Sequence, residues 1–155
     1  KFLHVNSILQ AKEAYKVLKD LGLYYPDFYS WYWNKVVPNI YLGVTTITLL
    51  IVDSKIIGVS IIKKSELESK LCALRVTEQY KNKGYALYLI DYSLKLLNMD
   101  KPLCSVSEDL INQYSRIFIN HYNFNISHVY KGIYQKNKLE YEFNGDVKLK
   151  ITSPY

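Results

Sequence analysis

The chain has 155 residues, of which 49% are apolar and 22% charged, with six glycines and four prolines. These values exclude a disordered chain, a collagen-like repeat and a coiled coil, and they predict one domain, 1–155, with its own core. Lysine and arginine exceed aspartate and glutamate by 20 to 14, which gives a formal net charge of +6 and favours an anionic partner such as nucleic acid or a phosphorylated ligand.

The chain's two cysteines and three histidines suggest no metal site. Cys72 and Cys104 are too few for a disulfide framework and too far apart in sequence for a zinc ribbon, so we expect buried, reduced thiols. The histidines have no metal-ligand spacing, and no metal is expected. No apolar stretch approaches the ~20 residues of a membrane helix, and no signal-peptide pattern is present. We therefore expect a cytoplasmic protein without a membrane partner.

The first half of the chain predicts a strand, two helices and three further strands. A short apolar run precedes Asn6 and Ser7, either of which can cap a helix that ends at Gly22. A second helix opens at Pro26, carries many aromatic side chains and ends before Pro38. Runs of β-branched residues then predict strands at 45–52, 56–63 and 71–76, with a hairpin turn at 53–55.

The second half alternates helices and strands. A polar segment leads into a helix from Gly84 to about Leu97, and a second helix, capped by 107–109, runs to about Asn120. Further strands are predicted at 103–106, 127–134 and 139–143, with 146–155 as a loose tail or an edge strand. The order β-α-α-β-β-β-α-β-α-β-β indicates an α+β fold with a mixed central sheet flanked by helices.

One segment combines the features of a phosphate site. Lys81-Asn82-Lys83-Gly84-Tyr85-Ala86 lies between a predicted strand and a predicted helix. The free N–H groups of a first helical turn, together with two small residues and two lysines, suit a pyrophosphate. A glycine-containing turn with solvated lysines is the alternative, because short glycine motifs are weakly specific.

This segment resembles the phosphate-binding signature of the GNAT superfamily of acyl-CoA-dependent N-acyltransferases. That signature is Arg or Gln, two residues, Gly, one residue, then Gly or Ala. Gly84 and Ala86 match it, while Lys81 replaces the Arg or Gln and so keeps the cation without the fork geometry. Val76 and Tyr80 also stand where such proteins often have a valine and a tyrosine. The predicted element order is that of the superfamily, so the resemblance covers roughly Phe2 to Gly145.

The resemblance implies acetyl-CoA as the co-substrate and direct acetyl transfer in a ternary complex with an amine, without a covalent acyl-enzyme. The fourth strand would pair its backbone with the pantetheine arm, and the loop would wrap the pyrophosphate. The strand at 103–106 would splay from its neighbour and open a wedge for the thioester. The implied cofactor-binding residues, three of them on the helix after the fifth strand, are Leu74, Arg75, Val76, Lys81, Asn82, Lys83, Gly84, Tyr85, Ala86, Asn112, Ser115 and Arg116.

The resemblance also implies a general base and a general acid. The base is often a glutamate on or near the fourth strand, which points to Glu68; regular alternation would place Glu68 on the same face as Leu74. An exposed strand-edge charge is the alternative for Glu68. The acid is commonly a tyrosine at a position that Ile119 occupies here, so Tyr114 and Tyr134 are the candidates, among 16 tyrosines. A backbone N–H of the fourth strand would stabilise the oxyanion.

The acceptor site of this superfamily forms from the first two helices and the closing hairpin, which points to Tyr29, Trp31 and Trp33 as substrate-binding residues. Aromatic walls suit a planar or apolar amine, a peptide, or an aminoacylated RNA end. A protein or peptide amine, a small-molecule amine and aminoacyl-tRNA therefore remain open as acceptors. The alternative is a non-catalytic acyl-CoA- or RNA-binding module on a degenerate GNAT fold, suggested by Lys81 and the displaced tyrosine.

Overall fold

A computed structural model of the chain describes residues 1–145; the tail or edge strand expected for 146–155 lies outside them. The regular elements, in chain order, are β1 (Phe2–His4), α1 (Ile8–Leu18), α2 (Phe28–Trp31), α3 (Val37–Ile40), β2 (Thr45–Val52), β3 (Lys55–Lys64), β4 (Ser69–Val76), α4 (Tyr85–Leu97), β5 (Cys104–Ser107), α5 (Ile111–Ser115), β6 (Ile126–Lys131) and β7 (Leu139–Phe143). Turns of 3₁₀ helix at Lys19–Leu23 and Glu78–Tyr80, and π-helical turns at Tyr32–Val36 and Arg116–His121, complete them. The predicted order is confirmed when α2 and α3 count as one helix.

The first four strands form an antiparallel sheet in the order β1-β2-β3-β4. Asp53 and Ser54 both adopt positive φ angles, 49° and 62°, which a two-residue hairpin turn between right-twisted strands requires. Ser7 caps α1 by accepting a hydrogen bond from the Gln10 N–H at 3.2 Å, as the sequence predicts. The apolar face of this sheet and the helices α1 and α4 enclose the core.

Helix α4 runs along the sheet in the direction opposite to β4, and this direction determines at which end of the sheet its N-terminus lies. The Lys64 Nζ at the end of β3 donates to the Leu96 carbonyl near the end of α4 at 3.3 Å. Near the start of β3, Gly58 lies so close to Leu89 that a Cβ there would come within 2.7 Å of the leucine Cδ1. The first turn of α4 therefore lies at the end of the sheet where β4 terminates.

The last three strands form a second antiparallel sheet in the order β5-β7-β6. The expected mixed sheet is reduced to one parallel contact, in which the Leu71 N–H donates to the Leu103 carbonyl at 2.9 Å and the Leu103 N–H donates to the Ser69 carbonyl at 3.1 Å. Beyond this contact β4 and β5 part. The two sheets are thus joined at one end and open at the other.

Three predicted boundaries are wrong. The second helix does not end before Pro38 but continues through the π-helical turn to Ile40, because the wider turn accommodates the missing proline N–H. Helix α5 starts at Ile111 with no side-chain cap, so 107–109 does not cap it. Strand β6 ends at Lys131, since Gly132 turns the chain with a φ of 77°.

Candidate active site

A cleft of about 530 Å³ opens where β4 and β5 separate. Its walls come from the two parting strands, from the segment that leads into α2, from α5 and from the β6–β7 loop. The lining residues of greatest chemical interest are Tyr25, Trp31, Lys70, Cys72, Leu74, Cys104, Ser105, Tyr114, Tyr134 and Glu140. The wedge expected at 103–106 is therefore present, with its bounds at β5.

A β-bulge in β4 shapes the floor of this cleft. Ile61 pairs with Ala73 and Ile62 with Leu71, so Cys72 is an extra residue in the ladder with β3. The bulge explains why residues three apart face the same edge: the Leu71 N–H donates to β5 and the Leu74 carbonyl accepts from Tyr114. Regular alternation would put 71 and 74 on opposite edges.

The bulge also corrects the argument for Glu68. Alternation along β4 was expected to carry Glu68 to the face of Leu74, but the extra residue at Cys72 shifts the register between them. Glu68 precedes β4, its Oε2 pairs with the Lys63 Nζ at 3.0 Å, and it is not among the residues that line the cleft. The described structure thus places Glu68 in a half-buried ion pair before the strand.

The two tyrosine candidates both line the cleft but differ in their hydrogen bonds. Tyr114 is 8% exposed, and its hydroxyl donates to the Leu74 carbonyl at 3.0 Å. Tyr134 is 48% exposed and packs edge-on against Tyr25, with ring centroids 5.1 Å apart. No hydrogen bond within residues 1–145 uses the Tyr134 hydroxyl. Burial raises the pKa of both phenols, so each is protonated at neutral pH and can donate.

The segment 81–86, which leads into α4, has the backbone geometry of an anion site. Asn82 and Gly84 adopt left-handed φ angles of 60° and 86°, and a Cβ on Gly84 would meet no atom within 4 Å. Within residues 1–145 no side chain caps the N-terminus of α4, so among these residues its first N–H groups remain free to bind a ligand. Consecutive left-handed and helical residues aim several N–H groups into one concavity.

The two loop lysines are held near this concavity. The Lys81 Nζ pairs with the Glu78 carboxylate at 2.6 Å, and that carboxylate is 85% exposed. The Lys83 Nζ lies 5.6 Å from the centroid of the Tyr80 ring, a cation–π contact. Tyr85 packs edge-on against Tyr80 with ring centroids 5.8 Å apart. An exposed ion pair is weak, so Lys81 can exchange Glu78 for a phosphate at small cost.

Sequence reasoning missed the most deeply buried acid of the cleft. Glu140 on β7 is 3% exposed, and its carboxylate accepts hydrogen bonds from the Tyr25 hydroxyl at 3.1 Å and from the Ser105 hydroxyl at 2.7 Å. Burial raises the pKa of Glu140, while the two hydroxyls and Lys70 lower it. In the sequence, Glu140 stands between Leu139 and Tyr141 in a predicted strand. Alternation along the strand could not decide whether the Glu140 side chain faces the inside or the outside.

The two thiols of the cleft are poor nucleophiles. Burial raises the pKa of Cys72 to about 11 and that of Cys104 to about 12. Both cysteines are free, as expected, and both carry the proton at neutral pH. A thiol rather than a thiolate reacts slowly with a thioester, so neither side chain suits an acyl-enzyme intermediate.

No protein-family model and no curated protein matches the sequence, whereas solved structures do. A Desulfovibrio desulfuricans protein assigned to the GNAT family of acetyltransferases is 14% identical, with a TM-score of 0.69, and the match covers 92% of this chain and 96% of that one. An aminoglycoside 6′-N-acetyltransferase complexed with coenzyme A is 10% identical, with a TM-score of 0.66 and coverage of 92% and 94%. A spermidine N-acetyltransferase chimera built in part from Vibrio cholerae is 14% identical, with a TM-score of 0.66 and coverage of 92% and 94%.

This chain has the GNAT fold. The expected architecture is confirmed over most of the length of both chains in each comparison. In this GNAT fold the bulged β4, the uncapped α4 and β5, which bounds the wedge, follow one another along the chain. Within residues 1–145 no helix is long and apolar enough to cross a membrane, and no cluster of three metal-ligating side chains occurs.

The other residues that the GNAT resemblance selected are divided between the cleft and its surroundings. Trp31 lines the cleft, whereas Tyr29, which is 63% exposed, and Trp33 both pack on Tyr15 and do not line it. The Arg75 guanidinium is 8% exposed and forms a two-pronged pair with Asp20, so only its backbone can serve a ligand. On the helix after β5, Asn112 and Arg116 are exposed, and the Ser115 hydroxyl donates to the Asn112 carbonyl at 3.4 Å.

Proposed function

We propose that this protein is an N-acetyltransferase that moves an acetyl group from acetyl-CoA directly to a primary amine in a ternary complex. The observation that carries the proposal is the wedge between β4 and β5, which exposes a bulged strand edge beside a cleft large enough for a thioester and an acceptor. The uncapped N-terminus of α4 at the same end of the sheet supports a binding site for the pyrophosphate.

In the proposed complex, the backbone of β4 binds the pantetheine arm. Leu74 directs its carbonyl to the wedge, and Val76, two residues further along the strand, presents its backbone to the same edge. Arg75 contributes only its backbone. The segment from Asn82 to Ala86 wraps the pyrophosphate with its amides, and the charges of Lys81 and Lys83 offset those of the phosphates.

Asn112, Ser115 and Arg116 are proposed to reach the distal part of CoA from the helix after β5. The side chains of Asn112 and Arg116 can extend to a ligand because both are exposed. Their contribution is simple to remove, because substitutions on an exposed helix face cost little stability.

The reacting groups meet at the bulge. A backbone N–H near Cys72, where the ladder with β3 is interrupted, would donate to the oxyanion of the tetrahedral intermediate. Trp31 and Tyr134 line the side of the cleft from which an acceptor would enter. Tyr134 suits the role of general acid for the leaving thiolate better than Tyr114, because the Tyr114 hydroxyl is engaged by the Leu74 carbonyl.

The comparisons support an amine as the acceptor. Two of the structures that share the fold are named for aminoglycoside and spermidine N-acetylation. Peptide amines and aminoacyl-tRNA are further acceptors to be assayed. A protein that binds CoA but acetylates nothing would instead be a binding module on this fold.

Thiol release from acetyl-CoA tests the proposal. We expect acetyl-CoA to bind by titration calorimetry and an amine from a panel of polyamines, aminoglycosides, peptides and charged tRNA to accelerate release of the CoA thiol. Uncharged tRNA and the matching alcohols serve as controls without an amine. Binding of acetyl-CoA without amine-dependent release would support the binding module, and absence of binding would refute both.

A further inference from the structure

Glu140 is a buried carboxylate that forms no ion pair within the described part of the chain. It lies on β7 and lines the cleft. Its partners are the neutral hydroxyls of Tyr25 and Ser105. A buried charge is costly unless it is paired, so this carboxylate lacks the partner that would make its charged form favourable.

The hydrogen bonds around Glu140 fix it as an acceptor. The backbone N–H of Ser107 donates to the Tyr25 oxygen at 3.1 Å, so the single phenol proton is free to be directed at the carboxylate. Ser105 likewise donates to it. Both neighbours therefore give hydrogen bonds to Glu140 and stabilise a carboxylate in one orientation. An ionised carboxylate can accept about four hydrogen bonds, which leaves room for an N–H donor from a ligand.

The surroundings of Glu140 suit an organic cation. The aromatic rings of Tyr25, Trp31 and Tyr134 line the same cleft, and ring faces attract ammonium groups. Lys70 on β4 is the cationic side chain of the cleft that acts on the Glu140 carboxylate, but it forms no ion pair with it. A carboxylate together with aromatic side chains in one cleft can bind a primary ammonium that is attached to an apolar or aromatic group.

We infer that Glu140 binds the ammonium group of the acceptor and takes its proton. This inference rests on the proposed acetyl transfer for the chemical step, whereas the recognition of a cation stands by itself. Tyr25 and Ser105 are positioning residues that hold the carboxylate. The acceptor class is thereby narrowed to small primary amines, or single amine-bearing chain ends, that enter the cleft as cations.

The proton balance of the step is complete. The ammonium gives one proton to the Glu140 carboxylate, which later passes it to solvent. The neutral amine attacks the thioester carbon, the C–N bond forms and the C–S bond breaks. The second nitrogen proton goes to the departing thiolate, directly or through a hydroxyl of the cleft, so that the products are an amide, the CoA thiol and one proton.

Glu142 provides a matched control two residues along β7. Its carboxylate also accepts from one tyrosine and one serine, the hydroxyls of Tyr130 at 3.2 Å and Ser127 at 2.8 Å. It does not line the cleft. Glu140→Gln and Glu142→Gln thus make the same chemical change on the same strand, inside and outside the proposed site.

The experiment measures binding of benzylamine and phenethylamine against their alcohols, benzyl alcohol and phenethyl alcohol, by ligand-observed NMR at low salt. We expect wild type and Glu142→Gln to bind each ammonium at least about tenfold more tightly than its alcohol, a difference of about 1.4 kcal/mol, because the Glu140 carboxylate adds a charge-assisted hydrogen bond. Glu140→Gln should bind amine and alcohol equally, with acetyl-CoA affinity unchanged.

Each result bears on one proposal. Equal binding of amine and alcohol by wild type, or a preference for the amine that persists in Glu140→Gln, overturns the assignment of Glu140. Because the wild-type comparison needs no variant, the test holds even if Glu140→Gln fails to fold. Failure of acetyl-CoA to bind overturns the proposed transfer instead and leaves ammonium recognition to the NMR result.

Discussion

Replacing Gly84 by glutamate places a negative charge at the N-terminus of α4, where the pyrophosphate is proposed to bind. Gly84 has a φ of 86°, and a Cβ there meets open space within 4 Å. The substitution therefore costs the left-handed strain of a non-glycine residue, about 1 kcal/mol, and no clash. A carboxylate near a helix N-terminus is itself favourable, so we expect the variant to fold.

The effect on cofactor binding should be much larger than the effect on stability. A carboxylate about 5 Å from a phosphate charge is repelled by about 1 kcal/mol at the dielectric constant of water and about 3 kcal/mol at an effective value of 20. With two charges on the pyrophosphate the repulsion lies between about 1.7 and about 6.6 kcal/mol, so we take about 2 kcal/mol, or about 30-fold in the dissociation constant, as the expected size of the effect. The glutamate side chain would also hinder the approach of the pyrophosphate to the free N–H groups, which would weaken binding further.

Titration calorimetry with acetyl-CoA measures the effect, and Gly43→Glu is the control. Gly43 also has a positive φ, 72°, with open space around its Cβ, but it lies in the turn before β2, at the opposite end of the sheet from the end of β4. We expect Gly84→Glu to weaken binding about 30-fold or more and Gly43→Glu to leave it unchanged. Equal affinities for the two variants would refute the assigned phosphate loop.

Three further predictions concern the cleft. Cys72→Ser should keep most of its turnover, because the thiol pKa of about 11 leaves no thiolate to attack; an acetylated protein in mass spectra would contradict this. Tyr134→Phe should lower kcat with little change in stability. Tyr114→Phe should instead lower the free energy of unfolding, measured in urea, by about 1 kcal/mol, because it loses a hydrogen bond. The reverse pattern would exchange the roles of the two tyrosines. Burial raises the pKa of Glu140, whose charge interacts with Ser105, Tyr25, Lys70 and Tyr134, so kcat/KM for the amine should fall with acid from a pH above the usual range of a carboxylate; a profile that is the same in Glu140→Gln would refute the assignment.

The order of strands and helices could be predicted because each element carries its own local signal. The β-branched runs of β2 and β3 and the serine cap of α1 depend on residues close together in sequence. The end of the helix at Pro38 was mispredicted because a π-helical turn, one that only tertiary packing stabilises, lets the helix pass the proline. The local rule that a proline ends a helix was outweighed here by tertiary contacts, which the rule does not include.

The residues of the candidate site were predicted or missed for the same reason. The phosphate loop is contiguous in sequence, so its residues could be named together. The bulge at Cys72 carried no local signal, and it invalidated the alternation that linked Glu68 to Leu74. Glu140 could not be found because Tyr25 and Ser105, which hold its carboxylate, are 115 and 35 residues away in the chain.

Acetyl transfer to an amine is tested by measuring release of the CoA thiol from acetyl-CoA side by side for the wild type and Gly84→Glu at sub-saturating acetyl-CoA. We expect release that requires a primary amine, yields the acetylated amine in equal amount by mass spectrometry, and falls about 30-fold in Gly84→Glu in line with its weaker binding. Absence of amine-dependent release across the whole panel, with acetyl-CoA bound, would contradict it.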